Sequence, residues 1–212
     1  MSVTSIKGLL AAAGPEGIAI ARTDSVRKAY ASEPVDGSDV RTFQPELQIP
    51  LPKRASHLAF SADGSALVVA VEGGDALAIY DVSGLLQGRT QPTATLNING
   101  ATLRALAANP NPDTSELFAA VTMNGELLIA NLKTNQLVSS SAGPVLKSGV
   151  SSVCWSNKGT QLVAGLGDGN AYQVKPDGEK QADIPRAPEI GSDHHGKLLH
   201  CRTDWIESCK LT

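Results

Sequence analysis

Three stretches of the chain repeat one order of apolar and polar positions. The first opens on Leu58-Ala59-Phe60, passes through the polar Ser61-Ala62-Asp63-Gly64, and continues into the unbroken apolar run Ala66–Val71. Glu72-Gly73-Gly74-Asp75 then precedes Leu77-Ala78-Ile79-Tyr80-Asp81-Val82. The second has Leu106-Ala107-Ala108-Asn109-Pro110, Leu117–Val121, Asn124-Gly125 and Leu127–Leu132; the third has Val153-Cys154-Trp155-Ser156, Gln161–Gly165, Asp168-Gly169 and Ala171–Val174. Each reads as strand, polar turn, strand, tight turn, strand. Asn-Gly and Asp-Gly supply the positive φ that a two-residue hairpin requires, and Gly73-Gly74-Asp75 does the same. The central apolar runs do not alternate, which fits a strand in the middle of a layered sheet.

Aligning Phe60, Ala108 and Trp155 gives spacings of 48 and 47 residues, within the range of about 40–50 residues for a propeller blade. A β-sandwich also has short strands at regular spacing, but three copies at an equal period favour the propeller. A weaker copy lies upstream, where Gly8–Ala13 and Gly17–Ala21 read as two strands around Gly14-Pro15. Residues 22–48 are looser and more polar, and Pro50, Pro52 and Lys53 lead into the first clear repeat. The expected fold is therefore all-β: a degenerate, WD-repeat-like β-propeller of about four blades over residues 1–190. The blades are expected at about 5–50, 55–98, 103–145 and 150–188, with an off-pattern tail at 191–212. The WD signature itself is sparse, since only Asp81 resembles its terminal acid and His57 lacks a preceding Gly. His57 is thus expected to be a surface or locally satisfied residue.

Composition narrows the function classes. The 212 residues include 18 Lys+Arg and 21 Asp+Glu, for a formal charge of −3. The charges form no dense basic cluster, so direct nucleic-acid binding is not expected. No apolar run approaches the roughly 18 residues of a membrane span, so no membrane insertion is expected. Lys7 followed by Gly-Leu-Leu-Ala-Ala-Ala is too short for a secretory leader and reads as a strand. Cys154, Cys201 and Cys209 are odd in number and form no framework, which points to a reducing compartment.

Chemistry is nearly absent. There is no Gly-x-Ser-x-Gly, Walker loop or His-Glu-x-x-His. Gly165-Leu166-Gly167-Asp168-Gly169 lacks the dinucleotide-loop spacing and reads as a hairpin turn. His194, His195, His200, Cys201 and Cys209 are zinc-ligand types without a tetrahedral spacing. Asp36 and Asp39 read as solvated loop charges, and Trp155 as core rather than a stacking platform. A propeller enzyme would need clustered acids or His on its inner strands, which here offer Ala, Val, Leu and Ser. No catalytic, cofactor-binding or metal residue is expected, no cofactor is implied, and no partner-binding residue is assigned.

The third repeat carries a further likeness. Val153-Cys154-Trp155-Ser156-Asn157-Lys158-Gly159-Thr160-Gln161-Leu162-Val163-Ala164-Gly165-Leu166-Gly167-Asp168-Gly169 resembles the N-terminal propeller of the cytoplasmic-face FG nucleoporins of messenger-RNA export, in their filamentous-fungal form. Tyr172-Gln173-Val174, Pro176-Asp177-Gly178 and Ile184-Pro185-Arg186-Ala187-Pro188 follow in the family's order, and Leu47–Val82 is similar to its second blade. The resemblance implies a nuclear pore component on the cytoplasmic face. Its partners would be a DEAD-box RNA helicase, docked through propeller loops in competition with RNA, and other pore subunits. A generic WD-like scaffold in another complex is the alternative.

In the family the ring has seven blades, or about 330 residues at the observed period, and its helicase-docking loops lie in later blades. No docking residue is therefore carried over. The break after Glu189, relieved only by a faint likeness of Trp205-Ile206-Glu207 to a next blade, is expected to mark a truncated product or a faulty gene model. Four blades of seven would expose two apolar sheet faces and self-associate. A monodisperse monomer would instead favour a small four-bladed ring.

Overall fold

A computed structural model describes residues 2–14, 16–31, 44–139 and 149–184. The chain divides into two compact units, Met1–Gly100 and Ala101–Thr212. The fold is all-β, with four antiparallel four-stranded sheets, two in each unit.

In the first unit, β1 (Val3–Ile6), β2 (Leu9–Gly14), β3 (Gly17–Arg22) and β4 (Leu47–Ile49) lie side by side in chain order. Helix α1 (Thr23–Ala31) interrupts the path from β3 to β4. The second sheet holds β5 (Ala55–Phe60), β6 (Ala66–Val71), β7 (Ala76–Asp81) and β8 (Ala94–Asn97), with the short helix α2 (Val82–Leu86) before β8. Successive strand residues face opposite sides, so Leu9, Ala11 and Ala13 share one face of β2. Their cross-strand partners include Ile20 opposite Ala11 and Ile18 opposite Ala13, and Ile18 in turn pairs with Ile49. This face packs on Leu58, Phe60, Leu67 and Val69 of the second sheet. Each buried Leu, Ile, Val or Phe contributes about 1.5–3 kcal/mol of transfer free energy. In β6, Leu67 through Ala70 are all buried, which is why the run does not alternate.

The second unit repeats the plan. One sheet holds β9 (Leu103–Ala108), β10 (Leu117–Thr122), β11 (Leu127–Asn131) and β12 (Gln136–Ser139). The other holds β13 (Val150–Trp155), β14 (Leu162–Leu166), β15 (Ala171–Val174) and β16 (Lys180–Ile184). Ala119, Val121, Leu127 and Ile129 of the first pack on Val150, Trp155, Leu162, Ala164 and Val174 of the second.

Two features go beyond the sequence reading. Each repeat gains a fourth, outer strand (β4, β8, β12, β16) of only three to five residues. In β8 three of four residues are exposed, and in β16 the middle three are, so these strands carry little hydrophobic pattern. Residues 23–31, expected to be loose, form α1. Asp24 in the first turn and Lys28 in the last complement the helix dipole. The proposed tail at 191–212 lies outside the described residues.

Candidate functional site

Among the described residues no cluster of metal-ligand types is present, so the candidate surface is the set of turns and what holds them. The turn after β5 and the turn after β13 are built alike. Ser61 N–H donates to Ala66 O at 2.9 Å, and Gly64 N–H donates back to Ser61 O at 2.9 Å. Ser156 N–H donates to Gln161 O and Gly159 N–H to Ser156 O, both at 2.8 Å. The serine hydroxyl accepts from the far amide in each, Ala66 at 2.9 Å and Gln161 at 3.2 Å. Gly64 and Gly159 have φ of 75° and 67°, a region that strains any residue with a Cβ.

The neighbouring sheet of the same unit reaches across to each turn. In the first unit Lys7, exposed, donates its ammonium to the Asp63 carbonyl. In the second, the middle repeat replaces the Ser-x-x-Gly turn with Asn109-Pro110-Asn111-Pro112. Asn109 Nδ2 donates to Gly159 O at 2.9 Å, and Asn111 Nδ2 to Lys158 O at 3.1 Å. Asn109 is fully buried, and its Oδ1 accepts from Asn111 N–H at 2.9 Å. A Cβ at Gly159 would lie 2.0 Å from Asn109 Oδ1. Trp155 Nε1–H donates to Ala107 O at 3.1 Å, so the indole is core with its polar edge satisfied, as expected.

The opposite ends of the strands carry the tight turns. Lys53 Nζ donates to Gly73 O at 2.9 Å. Gly167–Asn170 forms a hairpin turn, with Gly169 N–H on Leu166 O at 3.0 Å and Asn170 N–H on Asp168 Oδ1 at 2.9 Å. The glycine-rich stretch there is thus a turn between β14 and β15, not the mouth of a helix.

Asp81 ends β7 and caps α2. Its carboxylate accepts from Ser83 Oγ at 2.6 Å and from Gly84 N–H at 2.7 Å, with Arg89 at 3.9 Å. The Ser83 hydroxyl first and then the Gly84 amide hold this carboxyl below the usual range, against an opposing burial effect and with a weaker contribution from Arg89. Burial pushes the Tyr80 phenol above its ordinary value. In the second unit Glu179 accepts from Lys175 Nζ at 2.7 Å and, through that bond and its charge, raises the ammonium pKa.

The remaining candidates fall as follows. His57 is half-buried on β5, with Nδ1 3.2 Å from Ser56 Oγ. Cys154 is a buried thiol of β13 in no disulfide. Asp36, Asp39, His194, His195, His200, Cys201 and Cys209 lie outside the described residues. Among the described residues no group of three or more His, Cys, Asp or Glu could hold a metal. An open hollow of about 310 Å³ on β2 and β3 is lined mainly by Ala12, Ala13, Gly14, Gly17 and Ala19, with Glu16 and Gln48 at its edge. That lining is apolar and small and offers no reacting group. Sequence reasoning missed the Asn109 clamp, although the Asn-Pro-Asn-Pro run in place of Ser-x-x-Gly was its visible sign.

The fold and the sequence match known proteins. The propeller domain of Cps50 (Swd1) from Myceliophteria thermophila superposes with a TM-score of 0.63 at 15% identity, over 89% of this chain and 56% of that one; this likeness shows the fold alone. Nucleoporin NUP159 of Chaetomium thermophilum is 48% identical over 208 residues, 98% of this chain and 14% of its own length. Human Nuclear pore complex protein Nup214 is 28% identical over 209 residues, covering 94% of this chain and 10% of its own length. The chain therefore spans about a seventh or less of these relatives. The pattern of the NUP159/214 beta propeller runs from residue 1 to residue 208, and the chain belongs to that family of nuclear pore proteins.

Proposed function

We propose that the chain is a non-catalytic docking module of the nuclear pore complex, on its cytoplasmic face, acting in messenger-RNA export. Its partner in this reading is a DEAD-box RNA helicase, with other pore subunits as neighbours in the assembly. Family membership over residues 1–208, at 48% identity to a fungal nucleoporin, is the observation that carries the reading. The chemistry of the described residues is consistent with it. The polar groups of the turns are spent on holding backbone, which makes them stiff platforms for a partner, and preorganised loops bind at a smaller entropic cost.

The test is a pull-down with the purified helicase. Bait is the chain alone and the longest reading frame that contains it, each with and without single-stranded RNA. The reading predicts retention of the helicase by the longer bait and its displacement by RNA. Retention by the short bait as well would place docking turns within these repeats. Failure of both baits to retain the helicase would remove the docking role and leave a scaffold.

A further inference from the structure

One carboxylate ties two separate parts of the first sheet together. Glu46, just before β4, accepts from Ser25 Oγ at 2.9 Å and lies 3.3 Å from Arg22 Nε. Arg22 ends β3 and Ser25 sits in the first turn of α1. The local sequence is Arg22-Thr23-Asp24-Ser25-Val26. An arginine three residues before a serine, with an aliphatic residue after it, is the pattern that acidic clefts of basophilic protein kinases read. Arginine suits that reading because its guanidinium pairs carboxylates bidentately. The helix buries no residue, and nine residues are too few for a stable isolated helix in water. Opening the first turn to enter a kinase cleft therefore disrupts no core.

We propose that Ser25 is a phosphorylation site for an arginine-directed protein kinase, and that the phosphate takes Arg22 away from Glu46. In the transfer, Ser25 Oγ bonds to the γ-phosphorus of ATP and the bond to the β,γ-bridging oxygen breaks. ADP leaves with the electron pair, and the hydroxyl proton goes to the base of the kinase. The product carries a charge of about −1.5 to −2. It repels Glu46, which loses the Ser25 donor, and attracts Arg22. Arg27 and Lys28 lie two and three residues further along the helix. Negative charge in the first turn also suits the helix dipole. Phosphorylation thus keeps α1 and loosens the start of β4. This inference stands apart from the helicase reading, because it rests on the Arg22–Glu46–Ser25 geometry alone.

The purified chain is incubated with the catalytic subunit of the cyclic-AMP-dependent kinase and ATP, with sites read by mass spectrometry and initial rates by phosphate incorporation. Ser25 is the expected acceptor. Arg22→Ala lowers the rate at Ser25 about tenfold or more, as loss of a charge-assisted pair in the cleft does. Glu46→Gln raises it, because the arginine loses its ion pair and the serine loses a charged acceptor. All three side chains are on the surface, so the variants keep the fold, which circular dichroism verifies. Phosphorylation also speeds hydrogen exchange of the Leu47–Ile49 amides. No phosphate on Ser25, an unchanged rate in Arg22→Ala or Glu46→Gln, or unchanged exchange at 47–49 after phosphorylation would each overturn the proposal.

Discussion

The turn that follows β5 and the turn that follows β13 have the same internal bonds and the same glycine, yet their neighbouring sheets grip them differently. In the first unit an exposed lysine, Lys7, reaches the Asp63 carbonyl. In the second, the equivalent carbonyl of Lys158 and the next one, of Gly159, accept from Asn111 and Asn109, and Trp155 adds a third bond to Ala107. A lysine contact at the surface is screened, costs side-chain entropy and is worth little. A buried asparagine that loses its partner leaves polar atoms unsatisfied and costs the full desolvation penalty. The repeat thus sets where sheets meet, while the identity of one or two turn residues sets how firmly they are held.

Matched substitutions break this comparison most strongly at the two glycines. Gly159→Ala drives a Cβ into Asn109 as well as straining a positive φ, and is expected to cost about 3 kcal/mol. At Gly64 the nearest atom to a new Cβ is Lys7 Cδ, at 3.4 Å, and only the backbone strain of about 1 kcal/mol applies. Hydrogen exchange of the adjoining strands, β14 against β6, reads the two effects separately. Similar losses at both glycines would dissolve the distinction.

The clamping side chains come next. Asn109→Ala is expected to destabilise the second unit by about 2 kcal/mol, whereas Lys7→Ala stays within about 0.5 kcal/mol. Trp155→Phe keeps most of the apolar volume and removes one donor, so it is expected to cost about 1 kcal/mol. Slowed or unchanged exchange in β13 of either second-unit variant would contradict the clamp.

Smallest are the effects of pH, and they have opposite signs in the two units. The Asp81 carboxyl is held below its ordinary value. Its contribution is present above that ordinary value and disappears as pH falls through the lowered one. Lys175 is raised by Glu179, so its contribution is present below the ordinary lysine value and disappears as pH rises through the raised one. Acid is expected to loosen α2 in the first unit, and alkali the β15–β16 turn in the second. Asp81→Asn removes the first dependence and Lys175→Gln the second, as followed by amide chemical shifts across a pH titration.

Much of this was legible in the chain and some of it was not, for physical reasons. The inner three strands of each clear repeat announce themselves, because burial forces apolar runs such as Leu67–Ala70 and tight hairpins force glycine at Gly125 and Gly169. Trp155 reads as core for the same reason. The outer strands are silent: Lys180-Gln181-Ala182-Asp183-Ile184 has no apolar face to display. Helix α1 hides as well, since a nine-residue helix with no buried residue leaves no stripe in the sequence. The Asn109 clamp joins residues 50 positions apart; the Asn-Pro-Asn-Pro run marks one side of it, but a local pattern does not name a partner at that distance. The family likeness was legible in Val153–Gly169, whereas no partner-binding residue was, because turns carry no periodicity.

The clamp itself is tested most directly by native-state hydrogen exchange at two amides, Gly159 and Gly64, which donate the same bond within their turns at 2.8 and 2.9 Å. Gly159 is predicted to exchange about tenfold or more slowly than Gly64, a gap that corresponds to one buried hydrogen bond. Asn109→Ala is predicted to bring the two rates together. Equal rates in the unaltered chain, or a gap that survives Asn109→Ala, would contradict the clamp.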